Sequence, residues 1–500
     1  MSVARPAGAE TGTERRRVLA VVLAALATVV ASCGVAVSYD DSARVVDDSV
    51  VTGDDFDAGG PDSGDTDTST PTTLEPPTDV VIHNDTGSEI NRIAANAIRD
   101  LENFWVATYP ATFDGETYQP LSGGYWAINR NLPTSTLPCR PTDINQVLNN
   151  AYYCGFDDAI AWDEELLMPS LAAEFGDFTV AVVLAHEWGH AIQERRAMDE
   201  PTVVMELQAD CYAGAWVQHV VSSGESRFEV NTEQLDQALA GVLSLRDAPG
   251  AEADDPNAHG SGFDRVSAFQ SGFEEGAGRC RQFRVGDPQP YQFPFDDEDF
   301  ITQGDMEYSE IKEKAFGSLD GYWADVFPAL SGGKAWTPME PARAFTTEDP
   351  PECAGREVTQ YRLFLCVPDR YVGYDDGETM PRAYELGDFA VAALFGTQYG
   401  LEVQDQLQRP PGDEITATVR ADCFTGAWAG ALLPGAQVDE ATARKYVLGL
   451  SSGDLDEAVA VMLTFRTDSD RERQGPGFAR VKAFRTGVVD GAGACIDLTA

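Results

Sequence analysis

Two stretches of the chain share one hydrophobic pattern: "GDFTVAVVLAHEWGHAIQ", residues 176–193, and "GDFAVAALFGTQYGLEVQ", residues 387–404. Each opens on Gly-Asp-Phe, runs through apolar residues on more than one helical face, meets a polar interruption and closes on Gln. This predicts a helix buried in a core, twice. Further blocks recur in the same order. "FWVATYP" (104–110) answers "YWADVFP" (322–328), and "YYCGFDDAIAWD" ending at Asp163 answers "FLCVPDRYVGYD" ending at Asp375. "ADCYAGAW" (209–216) answers "ADCFTGAW" (421–428), and "HGSGFDRVSAFQSGFEEGAGRC" (259–280) answers "QGPGFARVKAFRTGVVDGAGAC" (474–495). Three- and four-residue apolar spacing in "DRVSAFQSGF" and "AVAVMLTF" predicts further helices, and the Tyr-rich cysteine blocks predict short strands. The expected fold is a helix-rich α+β domain present twice, over residues 85–285 and 305–500. A chain of 500 residues has room for two cores.

The first 84 residues follow a different pattern. Arg15, Arg16 and Arg17 precede an apolar run over residues 18–30, then Ala31, Ser32 and Cys33. Residues 1–33 are expected to be a signal peptide with a lipobox, Cys33 being the acylated residue, exported by the general or the twin-arginine route. The run is short for a transmembrane helix. Secretion with cleavage nearby and an uncleaved anchor are the alternatives. Residues 34–84 are acidic and rich in Ser, Thr, Pro and Gly, which predicts a disordered tether. The expected location is the extracytoplasmic face of the cell membrane, lipid-anchored, with a secreted protein as the alternative. A net charge of -47 argues against nucleic acid as a partner, because like charges repel.

Of the nine cysteines, eight divide four to a repeat: Cys139, Cys154, Cys211 and Cys280, then Cys353, Cys366, Cys423 and Cys495. Their wide spacing in an exported chain favours disulfides over a thiolate metal site. Confining bonds to each repeat leaves about three arrangements apiece. We expect Cys139–Cys154, Cys211–Cys280, Cys353–Cys366 and Cys423–Cys495.

The polar interruption of the first stretch carries chemistry. His186 and His190 are four residues apart, so on a helix they differ by roughly 40° and face one ion. Glu187, on the adjacent face, can serve as general base to a metal-activated water. Zinc needs a third ligand, and "MELQADCYAGAWV" offers Glu206 on a helix begun after Pro201. Asp210, one turn on, can accept the second ring proton of a histidine ligand. Its counterpart Asp422 persists in the second repeat, so it is equally a candidate for a structural role. His259 is a candidate donor to a developing oxyanion, or a surface histidine in a glycine-rich turn.

These residues, "LAHEWGHAIQ", "ELQADCYAGAW" and "HGSG" followed by Arg-Val, resemble the bacterial neutral zinc metallopeptidase family over most of the first repeat. The resemblance implies a zincin-like fold, Zn2+ held by His186, His190 and Glu206, and Glu187 as base. In the second repeat Thr397, Gln398, Leu401 and Thr418 stand where His186, Glu187, His190 and Glu206 stand in the first, and no histidine follows His259. The expectation is a membrane-tethered zinc peptidase acting on peptides or proteins through its first repeat. The second is then a degenerate pseudo-peptidase that binds a protein partner or braces the first. A non-catalytic surface lipoprotein with paired binding domains is the competing reading.

Overall fold

The computed structural model describes residues 49–51, 75–252, 258–295, 299–346, 348–358, 361–409, 412–434 and 446–499. The signal peptide, Cys33 and most of the tether lie outside the described residues. Within the expected tether, β1 (Ser49–Val51) pairs in parallel with a strand more than 300 residues away, at Leu363–Cys366.

The first half starts with β2 (Ile82–His83) and the long helix α1 (Glu89–Thr112), capped by Ser88, whose side chain accepts from Asn91 N. Next come β3 (Gly124–Ile128), β4 (Ala151–Cys154) and β5 (Ala159–Asp163). They form a mixed sheet in the order β2-β3-β5-β4, with only the β4–β5 pair antiparallel. Five helices complete the half: α2 (Leu167–Phe175), α3 (Asp177–Arg195), α4 (Thr202–Ser223), α5 (Thr232–Ser244) and α6 (Gly262–Glu275). The short α7 (Ala277–Cys280) carries the cysteine that bonds Cys211 of α4.

The second half runs through α8 (Asp299–Thr302), α9 (Tyr308–Leu330) and β6 (Arg343–Phe345). A small hairpin of β7 (Glu352–Cys353) and β8 (Arg356–Glu357) precedes β9 (Leu363–Cys366) and β10 (Tyr371–Asp375). Its sheet has the order β1-β9-β10-β6, again with one antiparallel pair, β9–β10. The helices are α10 (Thr379–Tyr384), α11 (Asp388–Gln406), α12 (Glu414–Leu432), α13 (Asp454–Thr464), α14 (Asp468–Gln474), α15 (Gly477–Asp490) and α16 (Ala492–Cys495). The structure is thus helix-rich α+β, and the four expected disulfides are present among the described residues.

Both signature stretches are the inner helices of the core. Trp188 of α3 and Trp216 of α4 are fully buried, as are Trp323 of α9 and Trp428 of α12, so these aromatics are packing residues. The halves share one core and cap each other's helices. Asp456 of α13 accepts from the N–H groups of Gly262 and Phe263 at the start of α6, at 2.9 and 2.7 Å. Asp236 of α5 does the same for Gly477 and Phe478 at the start of α15, at 2.7 and 2.8 Å. Each carboxylate meets N–H donors that have no partner within the helix, at its positive end; α6 has a further cap in Ser261, and α15 has none of its own.

Candidate metal centre

Helix α3 follows Gly176, whose φ of 79° lets α2 end and α3 begin without a linker. After Arg195 the chain reverses through Ala197, at φ 48°, and Pro201 starts α4. The two helices cross at Gly189, where a Cβ would lie 2.6 Å from Ala209 Cα. Only a glycine between the two histidines lets α4 approach closely enough for Glu206, one turn before Ala209, to reach them.

The structure brings His186, His190 and Glu206 together, with one donor atom from each inside a 4.8 Å cluster. His186 Nε2 and His190 Nε2 are 3.2 Å apart, His186 Nε2 and Glu206 Oε2 3.2 Å, and His190 Nε2 and Glu206 Oε1 3.4 Å. Tetrahedral ligands at about 2.0–2.1 Å from zinc are about 3.3 Å from one another, so the spacing and donor types fit this ion. Glu187 is buried, and its carboxylate has no hydrogen bond or ion pair among the described residues.

Behind the ligands lies a polar layer. Asp210 Oδ1 is 2.7 Å from His186 Nδ1, which leaves Nε2 to face the cluster. Arg265 of α6 grips the same carboxylate through Nε at 2.8 Å and Nη2 at 2.9 Å, and donates to Leu245 O. His190 Nδ1 is 2.9 Å from Gln193 Oε1, and Gln193 Nε2 donates to Met205 O at 2.6 Å, tying α3 to α4. Burial alone would lower the pKa of His186, but the charge and hydrogen bond of Asp210, joined by Glu206, push it up to about 10. Burial likewise opposes ionisation of Glu206 and Asp210. The hydrogen bond from His186 and the charges of His190, His186 and Arg265 hold Glu206 well below the usual carboxylate range. For Asp210 the Arg265 guanidinium is the main counterweight. The pocket is therefore built to keep its carboxylates ionised.

His259 stands apart from the cluster on the loop before α6. Its backbone N–H and Nδ1 both meet Asp247, at 2.8 and 3.2 Å, and the ring is more than half exposed. That hydrogen bond raises its pKa against the effect of burial, with a further contribution from the charge of Glu206. His83 stacks on Trp126 and His219 packs near Phe104, away from the cluster. Arg265 and Gln193 were not singled out from the sequence as site residues. Their signal was recurrence, since Arg480 and Gln404 stand at the matching places.

The matching place in the second half is filled differently. Thr397 Oγ1 is 3.1 Å from Asp422 Oδ1, and Arg480 grips Asp422 at 2.7 and 2.9 Å. Gln404 Nε2 donates to Ala417 O at 2.9 Å, and Leu401 and Thr418 are buried. The polar layer recurs without the donors it supports in the first half.

Comparison with known proteins points to the same region. Residues 135–283 match the model of a family described as "Putative neutral zinc metallopeptidase". The chain is 28% identical over 164 residues to the uncharacterized protein YpfJ of Escherichia coli K12, covering 28% of this chain and 55% of that one. It is also 28% identical over 163 residues to the uncharacterized proteins Mb2605 of Mycobacterium bovis and Rv2575 of Mycobacterium tuberculosis, covering 27% of this chain and 56% of theirs. The chain thus spans about half the length of the curated relatives it matches, and no solved structure matches it. What the comparisons establish is that residues 135–283, which contain the ligand cluster, match the zinc metallopeptidase family model.

Proposed function

We propose that the first half is a zinc-dependent peptidase. Three observations support it: donor spacing suited to tetrahedral zinc, a glutamate beside it whose carboxylate has no hydrogen-bond partner among the described residues, and the family match over this region. The donor spacing carries the reading. His186, His190 and Glu206 would hold the ion, Asp210 and Gln193 orient the two rings, and Arg265 keeps Asp210 charged. Zinc, when bound, supplies a Lewis acid that polarises a carbonyl and acidifies water. Glu187 takes the proton from the attacking water and returns it to the leaving amine. His259 stabilises negative charge developing on the substrate oxygen, from outside the ligand cluster.

We also infer that the two halves arose by duplication, a reading supported by their repeated sequence blocks, similar order of elements and reciprocal aspartate caps. The second half is then a degenerate copy that braces the first. Tethering to the membrane through Cys33 and an extracytoplasmic location remain part of this proposal.

The test is Glu187→Gln in the full chain, with a generic unfolded protein as substrate. Zinc should stay bound while chelator-sensitive hydrolysis falls by about 100- to 10,000-fold, the range for the loss of one general base. Unchanged hydrolysis would refute the mechanism.

A further inference from the structure

A second cluster of carboxylates lies in the other half of the molecule, far along the chain from the zinc ligands. Asp305, in the turn before α9, Asp388, the first residue of α11, and Glu457, in the first turn of α13, each bring an oxygen within 4.8 Å of the others. Asp454, the first residue of α13 and one turn before Glu457, is also buried. None of the four is ion-paired to a basic side chain among the described residues.

The hydrogen bonds they accept are few and come from the main chain and one hydroxyl. Met306 N donates to Asp388 Oδ2 at 2.7 Å, Phe389 N to Glu457 Oε2 at 2.8 Å, and Asp388 N to Asp305 Oδ1 at 3.2 Å. Ser451 holds Asp454 through N and Oγ at 2.9 and 2.6 Å. Asp388 Oδ1 is left buried with no hydrogen-bond partner, on a residue 3% exposed. Two helix N-termini supply about +0.5 each, and the charge of Lys314 also reaches Asp388, against a formal -4. A buried carboxylate oxygen with no donor is costly, and a cation removes that cost.

The first half shows the same scaffold with less charge: Asp177 stands where Asp388 stands, but the places of Asp454 and Glu457 are neutral. Asp236 and Asp456 make equivalent caps, which sets Gln234 beside the place of Asp454 and Gln237 beside that of Glu457. Gln234 Oε1 accepts from Asn231 N as Asp454 accepts from Ser451 N. Gln237 and Glu457 both sit against the glycine that opens the signature helix, Gly176 in one half and Gly387 in the other. Neutral amides therefore serve the packing, and the acidic pair in the second half adds something packing does not need.

We infer that Asp305, Asp388 and Glu457, with Asp454 beside them, bind a calcium ion that clamps the starts of α11 and α13 together. Several anionic oxygens and no nitrogen or sulfur donor suit a hard cation. Crowded carboxylates without a rigid octahedral frame suit calcium better than magnesium. The second half, which lost the imidazoles of the first, would then be held by an ion of a different class.

The test uses the full chain stripped by chelator, with calcium chloride as the probe in calorimetric titration and thermal unfolding. Wild type should bind one calcium per chain and unfold at a higher temperature with it. Glu457→Gln and Asp454→Gln, each restoring the residue type of the first half, should bind at least tenfold more weakly and lose the thermal shift. Calcium-free Glu457→Gln should unfold no lower than calcium-free wild type, because a repulsion has been removed. His186→Ala should leave calcium binding unchanged, which separates this site from the zinc site. No calcium binding by wild type, or equal binding by both glutamine variants, would overturn the inference.

Discussion

Asp210 and His186 are joined at 2.7 Å through Nδ1, and the same aspartate is held from behind by Arg265 at 2.8 and 2.9 Å. This chain runs from α6 through α4 to α3 and fixes which ring nitrogen faces the ligand cluster. Asp210→Ala should weaken zinc binding by about 10- to 100-fold, the usual range for losing a partner behind a metal-bound histidine. Competition against a chromogenic chelator reads it directly. Unchanged affinity would show that His186 does not depend on Asp210.

The two arginine–aspartate pairs separate support of the fold from support of the site. Arg265→Met and Arg480→Met each leave a fully buried carboxylate without its cation, at a cost of about 3–5 kcal/mol in urea unfolding. Arg265→Met should also weaken zinc binding. Arg480→Met should not, because Asp422 meets Thr397 and no imidazole.

Helix crossing gives a second paired experiment. A Cβ on Gly189 would come within 2.6 Å of Ala209 Cα, and one on Gly400 within 2.6 Å of Ala421 Cα. Alanine at either position should cost about 1–3 kcal/mol through overpacking. Gly189→Ala also pushes α4 and Glu206 away from the histidines, so only this variant should lose zinc affinity. Equal affinity in both would mean that the crossing does not set the ligand spacing.

Much of this was legible in the sequence because local pattern and chemistry agreed. The four-residue spacing of His186 and His190 fixes a shared helical face, and comparison of the two repeats set Glu206, a candidate ligand, apart from the residues common to both. The even division of cysteines pointed to disulfides within each repeat, and the expected pairs are those found. Arg265 was harder to see, because a buried arginine acts through Asp210, 55 residues away, and no local spacing encodes that contact. The reciprocal caps of Asp236 and Asp456 were invisible for the same reason. The sequence repeat suggested two homologous domains but carried no sign that these carboxylates reach across to the other half's helices. The strand at Ser49–Val51, inside a segment read as a tether, depends on a partner more than 300 residues on.

The most direct test of the central claim is zinc stoichiometry, measured by elemental mass spectrometry on the purified full chain and on His190→Ala. Wild type should carry one zinc per chain, His190→Ala should retain none after gel filtration, and proteolysis should be lost in step with the metal. Two zinc ions per chain, or one that persists in His190→Ala, would contradict that claim.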